Sequence, residues 1–216
     1  MDVATLYEAI HSIRLSVVAV LEPSGNGRPY EGGLIMQHQA FPHHTFAGSP
    51  REVGRQHGEE MRDLIARHLD LIFEQGSQRS GLTRERALLL AESFAPATRQ
   101  YSPDLLEEIE GVAEGANLTL AEAMLLQVRQ EVANIAQYGQ MELECTTFAV
   151  SGAYTRNGET YTGQNADLAG AIQEFSAVMT LAVIGKPRIL MLIPAGQVSY
   201  IGINEEGLAA WGNFLR

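Results

Sequence analysis

The strongest constraint on the fold of this chain is a change of hydrophobic period at its only cysteine, Cys145. From Ser49 to about Tyr138, apolar residues recur at helical spacing; after Cys145 they alternate with a period of two. A helix-period segment does not sit stably as a strand, nor the reverse. The chain therefore reads as α+β, a helical N-terminal half followed by an antiparallel sheet that begins at Cys145.

Within the helical half, Ser49-Pro50-Arg51-Glu52 is a capping box with proline at the first helical position. Val53, Met61, Leu64, Ile65, Leu69 and Ile72 continue it at helical spacing. Gly54 and Gly58 fall inside this helix, each costing about 1 kcal/mol against alanine. Glycines four apart leave a smooth face that suits close approach of another backbone. His57, between them, reads as a packed or hydrogen-bonded structural residue rather than a catalytic one. A weaker helical pattern covers 82–100. Ser102-Pro103 opens a helix that ends by Gly115, and Thr119-Leu120-Ala121-Glu122 is a second capping box. Met124, Leu125, Val128, Val132 and Ile135 mark the buried face of the helix that follows, and helical signal ends around Tyr138-Gly139.

Residues 22–48 read as loop, with Pro23, Gly25, Gly27, Pro29, Gly32, Gly33 and Pro42. His38, His43 and His44 cluster there without helical ligand spacing or a neighbouring carboxylate, so no metal site is expected. Beyond Cys145, Thr146–Thr155 and Thr160–Gln164 form two arms of a hairpin around Arg156-Asn157-Gly158-Glu159. Phe175–Ile184, Ile189–Ile193, Val198–Ile203 and Leu208–Phe214 are further strands, and 168–177 carries the one helical pattern of this half.

Composition excludes several partners. A net charge of −11 and a pI near 5.0 offer no basic face for nucleic acid or an anionic membrane. The apolar run Leu15–Leu21 is too short to cross a bilayer and follows Asp2 and Glu8 rather than a basic start. One cysteine forms no internal disulfide, so no oxidising compartment is implied, and a cytoplasmic protein is expected.

A lone thiol is ordinarily a buried small hydrophobe. Its place at the junction gives this one a second reading. If the Glu144–Cys145 peptide bond is cut, the new α-amino group, with a pKa of about 7.7–8.0, sits beside a thiol of about 8.5. Nucleophile and base then share one residue. The same thiol can make the cut by attacking the Glu144 carbonyl, forming a thioester that water opens.

Cys145-Thr146-Thr147, Gly163-Gln164-Asn165-Ala166-Asp167 and Gly202-Ile203-Asn204-Glu205-Glu206-Gly207-Leu208-Ala209, ending in Asn213, follow one another in order. Upstream stand Gly48-Ser49-Pro50-Arg51-Glu52-Val53-Gly54 with Gln56-His57-Gly58, then Glu107 to Ala116. Together they resemble the acyl-coenzyme A:6-aminopenicillanate acyltransferase family of cysteine N-terminal-nucleophile enzymes, distantly similar to choloylglycine hydrolases. The motifs are individually weak; their order over 48–216 carries the resemblance.

The resemblance implies a proenzyme that cleaves itself before Cys145 and needs no cofactor or metal. Asp167 would orient the amine or thiol, and Asn213 would help hold the oxyanion. It divides the chain into an N-terminal extension (1–47), a helical pro-segment (48–144) and a β-rich nucleophile part (145–216). That last part would be the start of an αββα sandwich, incomplete here, because the family continues further and is expected to supply a catalytic arginine. The fragment alone would then be poorly soluble and inactive. A further departure is Glu144, where the penicillin enzyme has glycine. The expected activity is that of a cysteine amidohydrolase or acyltransferase acting on a small linear amide or acyl donor, with the two cleaved fragments as each other's partners. The rival expectation is a truncated or decayed, non-enzymatic relative whose helical part is an interaction module; a structural thiol at Cys145 is the third.

Overall fold

A computed structural model describes residues 41–136, 145–166 and 170–213. The chain enters through strand β1 (His43–Gly48) and six helices follow: α1 (Pro50–Glu60), α2 (Arg62–Ser80), α3 (Arg84–Glu92), α4 (Ala95–Tyr101), α5 (Pro103–Ala116) and α6 (Leu120–Ile135). Strands β2 (Cys145–Val150) and β3 (Tyr161–Ala166) form an antiparallel hairpin. A short helix α7 (Gly170–Gln173) leads to β4 (Ser176–Val183), β5 (Ile189–Pro194), β6 (Ile201–Asn204) and β7 (Ala209–Ala210). The larger sheet runs β1-β4-β5-β6-β7, and the helices pack on it around Phe46, Ile65, Ile109, Val112, Leu125, Met179 and Ile193.

The capping boxes form as their sequences imply. Ser49 and Thr119 accept from the backbone N–H of Glu52 and Glu122, whose carboxylates reach back to the cap backbone. The glycines of α1 meet two more on α5, and the backbones of these helices nearly touch. A Cβ at Gly54 would lie 2.0 Å from the carbonyl oxygen of Glu108, and one at Gly58 would lie 2.5 Å from that of Val112. In return, a Cβ at Gly111 would lie 2.2 Å from the carbonyl of Arg51, and one at Gly115 would lie 2.1 Å from that of Arg55. Arg51 ties the same crossing from outside, binding Glu107, Glu110 and Glu114 at 3.0, 2.7 and 2.6 Å.

A turn after β5 is buried against the helices, and helix side chains satisfy its backbone. Gly196 N–H donates to His57 Nε2 at 3.0 Å, and Gln127 Nε2 donates to Gly196 O at 2.7 Å. Val198 N–H donates to Gln127 Oε1 at 3.0 Å, and Gln197 Nε2 to Leu126 O at 3.1 Å. His68 Nδ1 lies 2.9 Å from Ala195 O and must carry the proton to make that bond. His57 is therefore a structural acceptor. Burial pushes its pKa down to about 3, with the charge of His44 adding to it. Burial likewise lowers His68 to about 4, whereas it raises half-buried Glu108 to about 7.

Several expectations are corrected. Residues 43–48, read as loop, are strand β1, which pairs in parallel with β4, His43 against Val178 through Gly48 against Val183. The main sheet is thus mixed, and its first strand precedes the helices. The pattern from Val53 to Ile72 spans two helices, parted at Met61 (φ −110°, ψ 19°). Ile135, expected on a buried face, is exposed. The first hairpin arm stops at Val150, because Gly152–Tyr154 winds into a 3₁₀ turn. The strand expected over Val198–Ile203 begins only at Ile201, since the buried turn occupies its start; of Leu208–Phe214, the described residues 208–213 are strand only at β7, and Phe214 lies outside the described residues. Tyr138-Gly139, where helical signal was expected to end, lies outside the described residues.

Two predictions follow from this packing. Gly115→Ala gains about 1 kcal/mol of helix propensity but forces α1 and α5 apart, and we expect a net loss of about 2–3 kcal/mol or more in urea unfolding. Gly81→Ala is the control: Gly81 caps α2 at φ 66° with open space around it, so only the backbone strain of about 1–2 kcal/mol applies. Equal losses in the two variants would refute the close crossing.

The second concerns pH. Below pH 6.5 the unfolded chain protonates both His57 and His68, while the native chain keeps them neutral. In the same window, from about 7 down to 4.5, the native chain protonates Glu108 first, which stabilises it. Two protons to the unfolded state against one to the native state leave stability falling toward pH 5, with a slope approaching about 1.4 kcal/mol per pH unit. Glu108→Gln removes the opposing proton and should steepen that fall, measured by urea midpoints between pH 5 and 7. An unchanged slope in the variant would contradict the raised pKa of Glu108.

Candidate functional site

Cys145 is the first residue of β2 and pairs with Ala166, the last of β3. It is half-buried and free, outside the packed core. Thr147, two residues on, projects from the same face of the strand. Its hydroxyl accepts from Asn213 Nδ2 at 3.2 Å. Cys145 and Asn213 are therefore brought to one face of one hairpin, although 68 positions separate them in sequence. Glu144 and Asp167 lie outside the described residues; Asp167 directly follows Ala166, the residue paired with Cys145.

The segment carrying Asn213 is held to the hairpin by side chains. Gln164 Nε2 donates to Gly212 O at 2.7 Å, and Gly212 N–H returns to Gln164 Oε1 at 3.0 Å. Trp211 Nε1 donates to Thr162 Oγ1 at 2.6 Å. Three consecutive residues, Trp211 to Asn213, thus lie against both hairpin strands. The motif glutamine Gln164 acts as a clamp between two backbones.

The other expected features fall elsewhere. His43 Nε2 lies 2.9 Å from Thr180 Oγ1, and His44 Nδ1 lies 3.5 Å from Glu60; His38 is outside the described residues. Among the described residues no three His, Cys, Asp or Glu side chains converge as metal ligands. Asn204 closes the β6–β7 turn, its Oδ1 accepting from Glu206 and Leu208 N–H. Glu205 holds Arg188 at 2.8 Å. The Gly202–Ala209 motif is thus a turn that shapes the sheet edge. Among the described residues no helix is long and apolar enough to cross a membrane.

Two further titratable residues, Tyr200 and Arg129, were not singled out from sequence. Tyr200 is half-buried, and its phenol is pushed up mainly by burial, with Cys145 adding to the shift and Arg129 opposing it. Arg129 is half-buried on α6. The signal for Arg129 was legible: it lies four residues after Leu125 and three before Val132, so a cation interrupts an apolar stripe. Tyr200 had no such signal, since an aromatic residue before a strand is ordinary.

No protein-family model matches the chain. The 40 kDa form of acyl-coenzyme A:6-aminopenicillanic-acid-acyltransferase from Emericella nidulans is 31% identical over 175 residues, covering 80% of this chain and 47% of the relative. The chain spans about half the length of that relative. Along this shared stretch the chain is similar to an acyl-coenzyme A:6-aminopenicillanic-acid acyltransferase, in agreement with the resemblance carried by its sequence motifs.

Proposed function

We propose that this chain carries the nucleophile of a cysteine amidohydrolase or acyltransferase of the N-terminal-nucleophile type. The observation that supports it most is Cys145 itself: a free, half-buried thiol opening a strand, on the same face as Thr147 and the side-chain amide of Asn213. A thiol serving only as packing would lie in the core, where all the sulfur present belongs to methionines such as Met61, Met124, Met179 and Met191. The name of the fungal relative supports acyl transfer as the reaction class.

The chemistry has two stages. In maturation the Cys145 thiolate attacks the carbonyl carbon of Glu144, the peptide nitrogen leaves as the new α-amine, and water hydrolyses the thioester. In turnover that amine takes the thiol proton, sulfur attacks the substrate carbonyl, and the C–N bond breaks as the proton passes to the leaving amine. The acyl group then passes to water or to an amine. Asn213 Nδ2 has one N–H engaged by Thr147 and a second, without a partner among the described residues, to offer to an oxyanion, to which a backbone N–H would add. Asp167 orients the amine. The substrate is a small amide or acyl donor; the two fragments remain partners, because the turn after β5 is bound by side chains of α1, α2 and α6.

Mass spectrometry of the purified protein should show two fragments divided between Glu144 and Cys145, and Cys145→Ala should remain one chain. A wild-type protein that turns over an amide substrate while staying uncut would sink the self-cleaving mechanism.

Asp167→Asn should keep the thermal melt but lower turnover by about 10²–10⁴-fold, the range of acid–base contributions. Asn213→Ala should cost about 10²–10³-fold in kcat with little change in KM, as loss of one oxyanion donor does. Normal turnover in either variant would return that residue to a turn or strand-end role.

A further inference from the structure

Strand pairing sets Thr147 opposite Gln164, and Ala149 opposite Thr162. Residues directly opposite in an antiparallel pair share one face, as does every second residue along each strand. Cys145, Thr147, Thr162 and Gln164 are therefore on one face of the hairpin. The segment from Trp211 to Asn213 crosses that face in step with it. Trp211 meets Thr162, Gly212 meets Gln164, and Asn213 meets Thr147, the cross-strand neighbour of Gln164. The segment has just left the larger sheet at Ala210, which pairs with Gly202. Among the described residues no backbone–backbone hydrogen bond joins 211–213 to the hairpin.

Side chains thus take the place of a strand ladder, and they are not equivalent. Trp211 and Asn213 contribute one bond each, at 2.6 and 3.2 Å. Gln164 contributes two, donating to Gly212 O at 2.7 Å and accepting from Gly212 N–H at 3.0 Å. Both fall on one residue, as in the hydrogen-bonded pair of an antiparallel ladder. Two bonds to one residue fix its rotation as well as its distance. Gln164 is also the enclosed member, 7% exposed, whereas Thr147 and Asn213 are open to water. Water competes for the Asn213–Thr147 bond and much less for those of Gln164. The exposed amide of Asn213 therefore depends on the buried clamp one residue before it.

We propose that Gln164 is a positioning residue for the oxyanion donor: through Gly212 it sets where the side-chain amide of Asn213 stands relative to Cys145. This rests on the reading of Cys145 as nucleophile and Asn213 as oxyanion donor. Gln164 bonds backbone alone and touches neither the thiol nor the reacting carbonyl. Its influence is therefore confined to steps that build negative charge on a carbonyl oxygen. The reactivity of the sulfur itself is independent of it.

Two reagents separate these steps at one sulfur. With 4-nitrophenyl acetate the thiolate adds to the carbonyl carbon, the oxygen takes the negative charge, 4-nitrophenolate leaves and a thioester remains. With iodoacetamide the sulfur displaces iodide at a saturated carbon, and no oxyanion forms. Both rates are read on the full 216-residue protein, by nitrophenolate absorbance and by intact mass, with Cys145→Ala as background. Gln164→Leu should slow acylation by about 10²-fold, the scale of a misplacement of about 1 Å, and leave alkylation unchanged. Gln164→Glu keeps the acceptor for Gly212 N–H and loses the donor, so its acylation rate should fall between. It is close in size to glutamine and keeps the test open should the melt show Gln164→Leu unfolded. In an Asn213→Ala background, Gln164→Leu should slow acylation no further, because it acts through Asn213. If wild-type Cys145 is not acylated, or Asn213→Ala is acylated at the wild-type rate, the reading of the site falls and the positioning role with it. If Asn213→Ala slows acylation but the Gln164 variants do not, the site stands and the positioning role is refuted. The same holds if the Gln164 variants slow both reagents equally, or if their effect adds in full to that of Asn213→Ala.

Discussion

The fold depends on a turn that had to be buried. Pro194 to Val198 passes beneath the helices, and a backbone there cannot rely on water. His57, His68 and Gln127, from α1, α2 and α6, supply its partners. Removing any one would strand a buried donor or acceptor at a cost of about 1–3 kcal/mol. The turn therefore fixes three helices to the end of β5 at once. It also determines where the chain emerges: two residues after Val198 comes Tyr200, then β6, and then the segment that reaches the hairpin of Cys145. A histidine flanked by glycines, which might suggest catalysis, instead holds the scaffold on which the site is built.

The crossing of α1 and α5 serves the same geometry. Four glycines let the helices meet backbone to backbone, and this draws His57 inward to the turn. The Arg51 network lies half-exposed at the rim of the crossing, with its side chain 42% accessible. Individual exposed pairs contribute little; the crossing is set by the absent side chains, and the charges follow it.

What the sequence disclosed was local. Capping boxes at Ser49 and Thr119, the glycine spacing, and the strands β4 and β5 all depend on neighbours a few residues apart, and each was legible. β1 was not, because His43–Gly48 becomes a strand by pairing with residues 135 positions away. The break at Met61 was hidden because both helices keep the same buried stripe. At the site, Cys145 was legible from the change of period, and Asn213 only through motif order. Its bond to Thr147 depends on Trp211 and Gly212 lying against the hairpin, a tertiary event with no local code. Arg129 stood in plain view as a charge on an apolar stripe. Helical periodicity reads apolar positions and passes over the exception.

The hairpin of β2 and β3 has a different standing from the rest. Its first strand is half-buried only at Cys145 and exposed from Thr146 to Val150, and among the described residues no strand of the larger sheet pairs with it. Side-chain bonds from Trp211, Gly212 and Asn213 attach it, with Phe148 and Tyr161 open to water. Gln164 is the residue of this hairpin that is buried among those described, and a two-stranded hairpin is marginal by itself. Units with few buried contacts and much exposed backbone belong to the low-stability end of a structure. The thiol thus sits on the less buried of the two described sheets.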